Sequence, residues 1–167
     1  FGPPFYPFLN EEVKRSHESA HRAWLPFAER DASRRAIYAV VKRSLAVPFF
    51  EAMDRSDPNR CVGQRTASSG ASHALVALND EFVVRQSRRL AERMTREGGG
   101  DVRSQIILAY RLVLCRPPTP DEVDTFMAFM QEDGEERRRN GSRQVDLATL
   151  AEACRALFNL SEFYYPD

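Results

Sequence analysis

His17, Glu18 and His21 spell H-E-x-x-H in a stretch that reads as helix. At that spacing two imidazoles share one helical face and can hold zinc, while the glutamate serves as general base on a bound water. The flanks oppose this chemistry. A zincin helix is buried and mostly apolar around its motif, whereas Lys14, Arg15, Ser16, Ser19 and Arg22 surround it here. A third ligand such as Glu29 or Glu51 is also required, and nothing singles either out. A zinc hydrolase through His17 and His21 is therefore the outlying alternative, and two solvated histidines on a surface helix are the plain reading. A second candidate is the run Arg65, Thr66, Ser68 and Ser69, with His73 at the entry to a helix. Free N–H groups at a helix start, hydroxyls and a guanidinium suit an anion; the same groups also satisfy an ordinary loop. A third is the stripe Arg85, Arg88, Arg89, Arg93 and Arg96, opposite Val83, Ser87, Leu90 and Met94. It could meet an acidic polymer, but it lacks the interleaved aromatics that stack bases, and Glu92 and Glu97 soften it. Neither a G-x-S-x-G elbow nor a phosphate-binding loop occurs, and Gly98 to Gly100 lack the Lys and Ser/Thr of the latter.

The elements that must position these groups are helical. Asn10 offers an N-cap before Glu11 and Glu12, predicting a helix to about Ala23. Asp31 predicts the start of a second, whose Ala36, Ile37, Val40, Val41 and Leu45 form one apolar face, with Pro48 ending or kinking it and Phe49, Phe50 and Met53 adding a short turn. Residues 54–72 are dense in turn formers and predict the longest loop. Helical periodicity resumes from Ala71 to Glu97, with a break expected at Asn79 or Asp80 and a stop at Gly98 to Gly100. Asp101 predicts the next cap. Thr119, Pro120 and Glu122 then write a capping box ahead of a helix to about Arg138 that buries Val123, Phe126, Met127 and Met130. Asp146 caps a last helix with Leu147, Leu150, Ala151, Cys154, Leu157 and Phe158 at helical spacing. Residues 1–9, with Pro3, Pro4 and Pro7, predict an extended Pro-rich strap lying on a surface. The expectation is an all-α fold, one domain over 1–167, with about six helices, the loop at 54–72 and the N-terminal strap.

Composition narrows the partners. The chain carries 24 basic and 24 acidic residues, so no whole-molecule field favours nucleic acid or an anionic membrane. Of the basic residues only Lys14 and Lys42 are lysine, a bias that composition explains without a ligand. No run approaches the roughly 18 apolar residues of a membrane span. Cys61, Cys115 and Cys154 form no C-x-x-C, which excludes a thioredoxin-like pair or a C-x-x-C-H haem attachment in this chain. Whether Cys61 and Cys115 pair is left open by sequence, and Cys154 falls on an apolar helix face. Phe1 at the start, followed by Gly2 and prolines, suggests a piece of a longer polypeptide.

Four strings in fixed order carry a resemblance: RRAIYAVVKRSLAVPFFEAMD at 34–54, LNDEF at 78–82, AYRLVLCRPPTPDE at 109–122 and NLSEFYYPD at 159–167. With them the chain resembles planctomycete-specific domain one, a family of unknown function found at the C-terminus of cytochrome c-associated multidomain proteins. Arg34, Arg35, Tyr38, Lys42, Arg43 and Pro48 match the family segment R-R-x-[IL]-Y-x-x-x-K-R and its following proline. Arg65, Leu75, Leu78 and Asn79 match a stretch that usually reads T-T-x-P-T-Q-A-L-x-x-L-N, from which Ser68, Ser69, Ala71 and His73 depart. Cys115 stands where glycine is usual, while Cys154, Asn159, Glu162, Phe163 and Tyr165 agree with the terminal pattern. The family has no H-E-x-x-H at 17–21.

The resemblance implies a periplasmic or extracellular location, upstream domains of the same polypeptide as partners, and haem only in such a domain, with no cofactor in this chain. The leading expectation is an accessory or interaction domain. The competing one is an enzyme domain acting on an acidic polysaccharide or another anionic substrate. Arg35, Tyr38, Lys42, Arg65, His73 and Asn79 are the candidate ligand or domain-contact residues. Convergence of Arg35, Lys42, Arg65 and His73 in one concave pocket favours the enzyme, and dispersal favours the scaffold.

Overall fold

Pro3, Pro4 and Pro7 deny the first segment a helix, and the computed structural model, which describes residues 2–16, 24, 25, 28, 30, 34–61, 63, 71–140 and 145–165, shows it extended. The fold is all-α: the described residues hold eight α-helices, one short 3-10 helix, two isolated β-bridges and no strand. They group into two compact units, Phe1–Val76 and Ala77–Asp167.

In the first unit the strap is anchored rather than laid on a surface, since Phe5 and Leu9 are buried. Asn10 caps α1 (Glu11–Ser16) as the sequence predicts, its Oδ1 accepting from the Val13 amide at 2.9 Å. The continuation to Ala23 and the Asp31 cap lie outside the described residues. The helix expected to follow Asp31 is corrected by the structure. Only Ala36–Tyr38 winds, as a 3-10 turn. Beyond it the chain is extended and bridges Phe5 to Ala39 in parallel, with the Phe5 amide donating to Tyr38 at 3.0 Å and the Val40 amide donating to Phe5 at 2.9 Å. The strap thus takes backbone groups that an α-helix would have used within itself. Ala36, Ile37, Val40, Val41 and Leu45 then share no helical face: Leu45 is buried and Ile37 is 79% exposed. Pro48 neither ends nor kinks a helix but opens α2 (Pro48–Ala52), where its missing N–H costs nothing. Leu9, Trp24, Leu45 and Val47 form the small core, with Tyr6, Val13, Phe49 and Phe50 against it.

The helix α3 (Ala71–Asn79) is followed by α4 (Glu81–Glu97), α5 (Val102–Val113), α6 (Pro120–Arg139), α7 (Val145–Phe158) and a terminal turn, α8 (Ser161–Tyr164), which the sequence reading did not anticipate. The predicted break falls at Asp80, whose carboxylate accepts from the Phe82 amide at 2.8 Å. Asp101 caps α5 through the amides of Arg103 and Ser104. Thr119 and Glu122 complete both halves of the capping box on α6. Gly98 is the C-cap of α4, and a Cβ there would stand 2.7 Å from the Met94 carbonyl oxygen. Helices α4 to α7 enclose one core of Met94, Ile106, Tyr110, Val123, Leu150 and Leu157 among others. Val123 is buried and Phe126 and Met130 are partly so, but Met127 is 40% exposed, against expectation. Among the described residues no helix is long and apolar enough to cross a membrane.

Candidate functional site

The basic segment at 34–43 is held by aromatic rings. The Arg34 guanidinium lies 5.1 Å from the Phe5 ring centroid and 5.4 Å from that of Tyr38, and donates to the Pro3 carbonyl. The Lys42 ammonium sits 5.8 Å from Tyr6 and 5.6 Å from Trp24. Those two rings meet edge-on at 5.2 Å, and the Trp24 indole N–H donates to the Pro7 carbonyl at 3.1 Å. Each cation thus fastens the strap, since a ring face attracts positive charge most strongly where water is partly excluded.

Arg35 is exposed and contributes its carbonyl to the Tyr38 amide at 3.0 Å. Tyr38 is half-buried beneath Arg34. Lys42 also lines a polar cleft of about 530 Å³ with Arg43, Glu51, Arg55, Asp57 and Asn59. His73 sits on α3 with Nε2 3.6 Å from Oδ2 of Asp54, both side chains largely buried. Asp54 adopts the left-handed backbone at φ 52° just after α2. Asn79 is the exposed last residue of α3. Arg65, His17 and His21 lie outside the described residues, as do Thr66, Ser68 and Ser69. Among the described residues no group of three or more His, Cys, Asp or Glu side chains is placed to hold a metal ion. Of the candidates described, Arg35 and His73 are not among the residues lining the cleft that holds Lys42.

Sequence reasoning missed Arg55 and Asp54. The guanidinium of Arg55 stacks 5.4 Å from the Phe50 ring and lines both the polar cleft and a neighbouring apolar groove. The signal available in sequence was a basic residue five positions after Phe50, which becomes informative only once α2 is known to stop at Ala52.

Most of the Arg stripe on α4 is a solvated face, but Arg85 is half-buried. Arg88 and Arg89 are exposed, and Arg93 and Arg96 each pair with Glu97 at 2.9 Å, which holds that carboxyl below its ordinary range. A denser charge cluster stands at the α5–α6 turn. Arg116 pairs with Glu122 at 2.7 Å and with Glu162 at 2.6 Å, and lies 5.5 Å from the Tyr110 ring. The hydrogen bonds from Arg116 bring Glu122 down to about 2 and lower Glu162 as well, and burial pushes the Tyr110 hydroxyl up to about 12. Here two of the four family strings meet, and their chemistry is a clamp rather than a reaction site. Cys61, Cys115 and Cys154 are free thiols. Burial raises the Cys154 thiol to about 12, which leaves it inert.

Residues 1–130 match the family model described as PSD1, protein of unknown function (DUF1553), and the chain belongs to that family. No curated protein and no solved structure matches it.

Proposed function

We propose that this chain is an accessory, partner-binding domain of an extracytoplasmic, cytochrome c-associated multidomain protein, and that the face built on residues 34–59 meets an upstream domain. The observation that carries this reading is the division of labour in the basic segment. Arg34 and Lys42 are stacked on rings and fasten the fold, whereas Arg35 and Arg43 stand exposed next to Ile37 and Val41, themselves 79% and 50% exposed. Guanidinium groups beside bare apolar side chains are the composition of an interface and not of a closed reaction cleft. An enzyme acting on an acidic polysaccharide draws less support, because Arg35 and His73 do not join Lys42 in its cleft.

The test is made in the full-length polypeptide, comparing wild type with an Arg35→Ala/Arg43→Ala variant. Haem content by absorbance and association of the C-terminal domain by limited proteolysis are read together. The expected result is haem bound upstream in both proteins, with faster release of the C-terminal domain in the variant. Unchanged release, or turnover of an acidic polysaccharide by the isolated chain, overturns the reading.

A further inference from the structure

The apolar groove beside the basic segment has a volume of about 580 Å³. Ile37, Ala39, Val41, Phe49, Phe50 and Met53 line it. Phe5 binds the Tyr38 carbonyl and the Val40 amide. Backbone groups alternate in direction along an extended chain, so the Ala39 carbonyl and the Val41 amide face the opposite edge from the strap. Neither has a hydrogen-bond partner among the described residues. Arg55 is the charged residue of the lining, and no carboxylate faces it there. Arg35 and Arg43 are exposed on the adjoining segment, and neither forms an ion pair among the described residues.

We infer that this groove takes an extended, acidic and apolar peptide segment by strand addition to the open edge at residues 39–41. The incoming backbone donates to the Ala39 carbonyl and accepts from the Val41 amide. Alternate side chains enter between Ile37 and the Phe49, Phe50 and Met53 wall. The others, turned outward, bring carboxylates toward Arg35, Arg43 and Arg55. Main-chain hydrogen bonds supply affinity and the apolar pocket supplies selection, as in other edge-strand recognition. An unprotected edge flanked by apolar surface otherwise invites random pairing, and the arginines select against basic or neutral strands. The inference rests on the partner-binding reading and specifies the chemistry of the partner.

The probe is a fluorescein-labelled, end-blocked heptapeptide of alternating valine and glutamate, titrated with the full 167-residue chain and followed by anisotropy. A second and third probe carry N-methyl groups on alternate amides, one for each edge of the peptide. Saturable binding of the parent is expected, with about tenfold loss for one methylated peptide and little change for the other, and about tenfold loss in Ile37→Asp and in Arg55→Glu. Val41→Pro, checked for folding by Trp24 fluorescence, removes the amide donor and is expected to abolish binding. Equal binding of all three peptides, or none by the parent, overturns strand addition. So does a concentration-dependent dimer that Ile37→Asp dissolves, since the occupant is then a second copy. Failure here leaves the full-length proteolysis result intact, so the two readings fail separately.

Discussion

Arg116 grips Glu122 with two parallel hydrogen bonds, Nη1 to Oε2 at 2.8 Å and Nη2 to Oε1 at 2.7 Å. The same Oε2 accepts from the Thr119 amide at 2.7 Å, so the carboxylate that closes the capping box of α6 also anchors the turn before it. With its remaining reach Arg116 holds Glu162 on α8, 46 residues away in sequence.

The clamp sets a pH dependence. Folding lowers the Glu122 carboxyl from 4.5 to about 2, so protonation opposes the fold. Its contribution is whole above about pH 4.5, declines below that and is gone under about pH 2. The pair is about one-third exposed, and screening limits the effect. Glu122→Gln is expected to cost about 1 kcal/mol near pH 7, with the difference from wild type closing as the pH falls toward 2. Thermal unfolding across that range checks it, and a pH-independent difference refutes the assignment.

Thr119→Ala removes the other half of the box. Losing the hydroxyl that accepts from the Glu122 amide is expected to cost about 1 kcal/mol in urea unfolding, with the slope of the transition unchanged. Thr119→Ser should retain most of the stability.

Cys115 occupies the left-handed region at φ 56°, directly after the α5 C-cap at Leu114. This is the position at which helices favour glycine. Cys115→Gly is expected to stabilise the chain by about 0.5–1 kcal/mol, the relief of backbone strain outweighing added freedom in the unfolded state. Cys115→Val should destabilise it. A stability loss in Cys115→Gly contradicts the strain argument.

Lys42→Ala tests the aromatic seat of the basic segment. The loss of a cation over Tyr6 and Trp24 is expected to cost about 1 kcal/mol. Trp24 is the single tryptophan, so its emission reports this seat alone and should shift. Unaltered emission with unaltered stability shows that the ammonium contributes nothing.

Thiol titration checks the burial of Cys154, whose Sγ lies 3.3 Å from the Met94 sulfur. Cys61 and Cys115 should react with a disulfide reagent in the native protein, and Cys154 only after denaturation.

The sequence by itself determined α4 to α6 closely, because their signals are local. Asp80, Asp101 and the Thr119–Glu122 box each act within three residues of the helix they start, and Gly98 acts on the turn it ends. It also carried the family, through strings that need no folding to be read. Only tertiary structure decided residues 36–47. Their apolar spacing satisfies a helix, yet Phe5 supplies backbone partners from more than thirty residues upstream, and an extended chain results. That same long-range pairing leaves Ile37 and Val41 exposed. The partners of Arg116 were hidden for a like reason: a side chain's charge is written in the sequence, but Glu162 reaches it only after α6 and α7 have brought the chain back. Local capping chemistry is therefore legible in residue order, whereas a surface made by two distant segments exists only once both are in place.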